Sequence, residues 1–308
     1  MSKFIPTRPQ YARERADYTY PLFAAFAILF AAHCADKFTK LDLGSIVATA
    51  FLALAAFVAP VLIFARTRGR GYLRTLRFHR PYATHIPLLL CALLVLLAGS
   101  TLLSIVFNGM DTVSNSAATV NAVSTGGIGK ALLMIPTLVL LPAFAEELMF
   151  RGLLCAELDR RGTLRAILVS ALLFALIHFD ASNLLLYFLS GVLLALVLYA
   201  TESLICVMLL HAAYNAASLF ARPYINALYR FTGSTELFLF LLVLLLVCAL
   251  ALFCMFAARL YRARSRAGLR EPRRNVPFGV QFYTLLDALC EWPVIASAVL
   301  AIVGLIVL

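Results

Sequence analysis

Charge is scarce in this chain. Asp, Glu, Lys and Arg supply only 13% of the 308 residues, where a soluble domain carries about 25%. Long polar segments are absent too, so nothing reads as a separate soluble domain. There is no internal repeat and no low-complexity tract beyond Leu/Ala runs. No Cys-x-x-Cys pair occurs among the seven cysteines, most of which sit in apolar runs and read as small buried hydrophobes. These absences exclude a disordered chain, a collagen-like fibre, a disulfide scaffold and an ordinary soluble enzyme. What is present is apolar surface: 63% hydrophobic residues and a mean hydropathy of +0.94. The composition points to an all-α, polytopic membrane helix bundle.

A spanning helix needs about 20 apolar residues. Candidate spans run over 18–35, 43–65, 86–108, 130–157, 163–179, 184–201, 203–221, 236–258 and 282–308. The first reads as an uncleaved span, because its basic lead is long for a signal peptide. The last contains Asp287 and Glu291, so eight or nine transmembrane helices are expected. The net charge is +11, but it does not signal nucleic acid. Twenty of the basic residues fall in four segments (the N-terminal tail, Arg66–Arg80, Arg160–Arg165 and Arg259–Arg274) that share one side if nine spans alternate. Five fall on the other side: Lys37, Lys40, Lys130, Arg222 and Arg230. Positive charge marks the cytoplasmic side, which predicts a multi-pass cell-membrane protein with a cytoplasmic N-terminus. Three regions follow: N-terminal spans with basic segments (1–129), a core carrying the chemistry (130–221) and C-terminal spans (222–308).

An ionisable side chain inside lipid costs about 2.5–3.5 kcal/mol on insertion scales. Several retained in a few spans require a reason. The fourth span contains Glu146-Glu147-x-x-x-Arg151, the fifth Phe174-x-x-x-His178, and the seventh His211-x-x-x-Asn215. Glu147 and Arg151 are i, i+4 with the acid first, so they can pair on one face. Glu146 lies about 100° round the helix and is free to point elsewhere. His211 and Asn215 share a face, as do Phe174 and His178. Helix rise places Glu146, His178, His211 and Asn215 about 12–22 Å from the arginine-rich ends of their spans. Three helices therefore bring polar groups to similar depth.

This ordered set resembles the CPBP (Abi) intramembrane proteases, which include the type II CAAX prenyl endopeptidases, the Ras-converting enzymes. The resemblance covers about residues 130–220. It implies a four-helix catalytic core and peptide hydrolysis, with Glu146 and His178 activating water and His211 and Asn215 stabilising the tetrahedral intermediate. The residues themselves allow that chemistry. Glu146 can act as general base, His178 can hold the water or shuttle its proton, and His211 and Asn215 can donate to an oxyanion from one helix face. Glu147 with Arg151 reads as support. Two mechanisms stay open: a divalent metal such as zinc held by Glu146, His178 and His211, and a metal-free glutamate mechanism. The sequence lacks His-Glu-x-x-His, and Asn is an uncommon zinc ligand.

The substrate is then a hydrophobic or membrane-apposed peptide or protein in the lipid bilayer, CAAX-type in some relatives; no nucleic acid is involved. Other classes compete. Buried Glu, Arg and His also mark transporters and proton-coupled carriers, yet no repeated pair of broken helices is present. A haem cytochrome using His178 and His211 leaves Glu146 without a task. A catalytically silent immunity or assembly protein of the same family would not need the complete polar set. The depth calculation further predicts one hydrated cavity opening towards the arginine-rich, cytoplasmic half.

Overall fold

The computed structural model describes residues 17–39, 46–69, 71–110, 113, 135–220, 222–267 and 278–307. The basic N-terminal tail, Lys40, Arg70, Lys130, Arg270, Arg273, Arg274 and the first five residues of the expected fourth span lie outside them. Among the described residues there are helices and no strands. That is what lipid demands of a single chain, because a helix satisfies every backbone donor internally.

Eleven helical segments are used below. They are α1 (Thr19–Thr39), α2 (46–68), α3 (Ile86–Asn108), α4 (135–158), α5 (Thr163–Leu176), α6 (Leu184–Thr201), α7 (Leu204–Phe220), α8 (Arg222–Thr232), α9 (Thr235–Arg266), α10 (Phe278–Leu289) and α11 (Trp292–Val307). Local chemistry sets their ends. Ser234 caps α9 by accepting a hydrogen bond from the Leu237 N–H (3.0 Å). α3 stops before Gly109, whose φ of +79° suits glycine.

Among the described residues, five helices are long and apolar enough to cross a membrane, or seven if each of two bent pairs counts as one span. The two expected spans outside this count, the fourth and fifth, both carry site residues, as the seventh does within it. The described part of the fourth holds Glu146, Glu147, Arg151 and Glu157, and the fifth has shrunk to the 14 residues of α5. The expected ninth span is broken by 67° between α10 and α11. There the Glu291 backbone carbonyl accepts from the N–H groups of Val294 and Ile295 at the start of a new helix.

α5 and α6 pack closely as an antiparallel pair, α3 lies along α9, and α1 lies along α11. α4 and α7 meet at the centre, with the middle of α2 against α4. Gly191 makes the α5–α6 contact possible, since a Cβ there would stand 2.9 Å from the Ala171 Cα. Small residues of this kind let membrane helices approach to backbone contact.

The arginine-rich segments meet at one end of the bundle. Arg77 pairs with Asp159 (2.8 Å), just after α4, and with Glu202 (3.1 Å), between α6 and α7. Arg264 at the end of α9 reaches Glu202 (3.9 Å). Arg165 at the start of α5 donates to the Tyr18 hydroxyl beside α1 (3.1 Å). The Ser203 hydroxyl donates to the His79 carbonyl (2.6 Å), and the Leu204 N–H to the Arg77 carbonyl (2.9 Å). Burial disfavours charge on Arg77, but Glu202, Tyr199 and Asp159 outweigh it and hold the guanidinium pKa above its ordinary value. Tyr72 and Leu76 tuck their side chains into the apolar core beneath. Of the four basic segments expected on one side, the described parts of three lie at this end, and the N-terminal tail is outside the described residues.

Candidate active site

The polar groups converge where α4, α5 and α7 meet. α4 is not a uniform α-helix. Wider π turns occupy Ile135–Leu140 and Leu148–Leu154 and flank the α-helical turns Leu141–Glu147. Such insertions rotate the residues after them, and they concentrate at functional sites.

Glu147 and Arg151 form the predicted pair, Nη1 to Oε1 at 2.8 Å, with both side chains fully buried. Arg151 also donates through Nη2 to the Gly191 carbonyl (3.0 Å), tying α4 to α6. Its guanidinium lies over the Phe174 ring, 4.4 Å from the centroid. The sequence reading gave Glu147 no other partner. The structure adds one: His211 donates from Nδ1 to the same Glu147 Oε1 at 2.8 Å, from 64 residues away. The opposite ring nitrogen, Nε2, faces Glu146 Oε2 at 3.9 Å. His211 therefore stands between the two adjacent carboxylates, one hydrogen-bonded and one just beyond contact.

His178 is not the helical residue that was expected. α5 ends at Leu176, and Phe179 adopts a left-handed φ of +50°. The cause lies downstream. Asp180 accepts from the N–H groups of Ser182 and Asn183 (3.0 and 3.2 Å), a turn that starts α6 and ends α5 early. His178 still reaches back one turn, donating from Nδ1 to the Phe174 carbonyl (2.7 Å). That bond fixes the ring and leaves Nε2 as the acceptor. Tyr187 stacks on the ring (centroids 4.0 Å, planes 15° apart), and its hydroxyl reaches Asp180 (3.5 Å). His178 lies within the electrostatic reach of Glu146, His211 and Asp180. Next to it, Phe179 contacts the rings of Phe26, Phe30 and His33 on α1. A Cβ at Gly304 of α11 would collide with the same Phe179 ring.

Asn215, one turn beyond His211 on α7, is half-buried and makes no hydrogen bond with a described residue. Glu146 keeps 14% side-chain exposure, and its buried Oε2 has no hydrogen-bond partner among the described residues. Five of the six predicted residues are thus joined by close contacts, while Asn215 stands one turn from His211 on α7. Tyr187 and Asp180 were not singled out in the sequence. The Asp-x-x-Asn spacing of a helix start was visible, but its connection to the histidine was not.

The site sits at a boundary in packing. Towards the arginine-rich end the core is solid: Leu153, Leu154, Leu158, Leu198, Leu204 and Val207 are at most 1% exposed. Away from that end, the stretches 184–189 and 213–220 are half-buried or exposed. The opening expected on the arginine-rich side is filled by side chains. Helix rise alone could not say which half of the bundle was packed.

Neither histidine uses Nε2 in a hydrogen bond among the described residues, and the Nε2 of His211 and the Oε2 of Glu146 face each other at 3.9 Å. Among the described residues, however, no three His, Cys, Asp or Glu side chains form a group that could hold a metal ion. No step below is derived through one.

The site is thus a buried carboxylate–histidine–carboxylate arrangement inside a membrane helix bundle, with a second histidine on a facing turn. Residues 128–217 match the family model described as Rce1-like, Type II CAAX prenyl endopeptidase. The matched segment contains Glu146, Glu147, Arg151, His178, His211 and Asn215, and it agrees with the resemblance drawn from the motifs. In general terms it supports an intramembrane protease of the CAAX type. No curated protein and no solved structure matches the chain.

Proposed function

We propose that the protein is an intramembrane endopeptidase that hydrolyses a peptide bond of a hydrophobic or membrane-apposed substrate with a glutamate-activated water. One observation carries this reading: His211 is anchored through Nδ1 to Glu147 and presents Nε2 to Glu146. The pairing holds an imidazole on α7 beside Glu146, the partly exposed carboxylate of the two.

In the proposed reaction the Glu146 carboxylate accepts a proton as the water oxygen attacks the scissile carbonyl carbon. His178 accepts a hydrogen bond from that water through Nε2 and aligns it. The carbonyl oxygen becomes an oxyanion and takes hydrogen bonds from the protonated His211 Nε2 and from the Asn215 amide, both on the same face of α7. The carbon–nitrogen bond then breaks, and the proton held by Glu146 passes to the leaving amine. Glu147 and Arg151 act through His211, by fixing its ring.

The test is a peptide-library cleavage screen with purified full-length protein. Glu146→Gln is expected to abolish hydrolysis while expression and peptide binding persist. Turnover in the mutant near the wild-type rate would remove Glu146 as base. Activity is also expected to persist in a strong chelator; loss in the chelator with recovery on added zinc would replace this mechanism with a metal-dependent one.

A further inference from the structure

α9 is longer than a membrane is thick. Its 32 residues rise about 48 Å, against a hydrocarbon layer of about 30 Å. Measured from the Ser234 cap, about 30 Å of rise ends near Met255, so the last turns of α9 stand at headgroup level on the arginine-rich side. Those turns carry Arg259, Arg262 and Arg266, whose i, i+3, i+7 spacing puts them on one helix face. All three are exposed, and none pairs with a carboxylate among the described residues. Arg264 shows the contrast. It points to the opposite face, where it donates to the Tyr199 carbonyl (3.4 Å) and approaches Glu202 (3.9 Å). Arg77, Arg160 and Arg264 each stand beside a carboxylate at this end of the bundle. The stripe is surplus to that packing.

A separate feature marks the same level. Trp292 opens α11, is 56% exposed, and meets the rings of Tyr20 and Phe23 near the start of α1 (centroids 5.7 and 5.9 Å). Trp and Tyr collect where membrane meets water. Tyr18, two residues before Tyr20, is bonded to Arg165 of the arginine-rich end, so the aromatic cluster and the arginines lie at one face of the membrane. α11 runs along α1, a helix of membrane-spanning length, and α10 turns 67° from it. α10 therefore lies closer to the membrane plane than to its normal. It sets Leu285, Ala288 and Leu289 against the core and leaves Phe282, Tyr283 and Leu286 exposed, as a helix resting in the interface does. Arg259 fits the same boundary, with its guanidinium 5.7 Å from the ring centroid of Phe256, one turn nearer the lipid.

We propose that the Arg259–Arg262–Arg266 stripe is a binding site for the headgroups of anionic phospholipids in the leaflet on the arginine-rich side. The charge rule makes that leaflet cytoplasmic, where anionic lipids draw arginines that flank a span. The three guanidinium groups are spread over about 10 Å of helix. Each offers forked donors to the two free oxygens of a phosphodiester. A zwitterionic headgroup brings its own ammonium and competes with them; an anionic headgroup does not. The stripe shares no residue with the candidate active site and stands whatever reaction Glu146 serves.

The experiment uses full-length protein, delipidated in neutral detergent and titrated with phosphatidylglycerol and phosphatidylcholine of equal chain length. Bound lipid is counted by native mass spectrometry. Wild type is expected to retain phosphatidylglycerol in preference to phosphatidylcholine. Arg259→Gln, Arg262→Gln and Arg266→Gln are each expected to weaken phosphatidylglycerol retention by about fivefold, with phosphatidylcholine retention and Tm in neutral detergent unchanged. Arg230→Gln removes an exposed charge from α8 at the other end of the bundle and should bind as wild type does. Equal retention of the two lipids by wild type, undiminished phosphatidylglycerol retention in all three variants, or an equal loss in Arg230→Gln each overturns the proposal. A soluble ester, sn-glycerol 3-phosphate, forms the last arm. It is expected to leave the wild-type Tm unchanged where phosphatidylglycerol raises it; an equal rise would make the ligand a soluble phosphate and overturn the lipid assignment.

Discussion

Glu147 Oε1 accepts from two donors, Arg151 and His211, on opposite sides of one buried oxygen. Removing the arginine leaves an anion in apolar surroundings with only an imidazole beside it. Breaking a buried ion pair in this way costs about 3–5 kcal/mol. Arg151→Ala should therefore lower Tm in detergent sharply and reduce activity with it. Arg151→Lys, which keeps charge but not the forked contact to Gly191, should fall between; an unchanged Tm in Arg151→Ala would show the pair to be dispensable. Tyr187 acts differently, because it touches His178 by its ring face and Asp180 by its hydroxyl. Tyr187→Phe keeps the stack and should retain most activity. Tyr187→Ala frees the imidazole and should lower kcat by about 10–100-fold, the scale of a misplaced catalytic group, with KM and folding little changed. Equal kcat in both variants would show that the stack does not position His178. The Glu147–Arg151 pair could be read from spacing alone, since i, i+4 neighbours meet on any helix. The Glu147–His211 bond could not, because nothing local links positions 64 residues apart.

At the scale of elements, the sequence pattern located the helices well and their interruptions poorly. Apolar length finds α1, α3, α6 and α9, where composition is uniform. It does not find the π turns of α4, which leave no hydropathy signal, nor the early end of α5, which depends on an Asp180 turn competing with one more helical residue. These two departures set the site: one widens the helix just after Glu147, the other lifts His178 out of α5. The α5–α6 pair is the element contact that positions them. Gly191 sits on it against Ala171, and its carbonyl accepts from Arg151 Nη2. Gly191→Val would force the helices apart by the width of a side chain and pull that carbonyl from Arg151. We expect loss of the folded protein in detergent at ordinary temperature, read by size exclusion and melting, whereas Gly279→Val, where a Cβ meets nothing within 4 Å, should melt like wild type. Normal melting of Gly191→Val would show that the contact is slack.

For the whole molecule, charge patterning carried the alternation of spans, and the Arg77 network agrees with it by joining the segment after α2, the end of α4 and the α6–α7 turn at one end. The direction in which the site opens was not legible, because it depends on which halves of four helices pack against one another. Arg77→Ala should cost about 1–3 kcal/mol, the scale of hydrogen bonds to charged groups, seen as a lower Tm, while kcat in detergent stays close to wild type because the network lies away from Glu146. A large fall in kcat at unchanged Tm would instead tie the arginine-rich end to the chemistry. One contact reaches across nearly the whole chain. Phe179, beside His178, is held by rings of α1 and by the backbone of α11 at Gly304. A chain still emerging from the ribosome after α9 already carries every residue assigned to the reaction, yet the turn under His178 lacks its clamp. On the proposed peptidase reading, a chain ended after α9 is therefore expected to cleave poorly until α11 is restored.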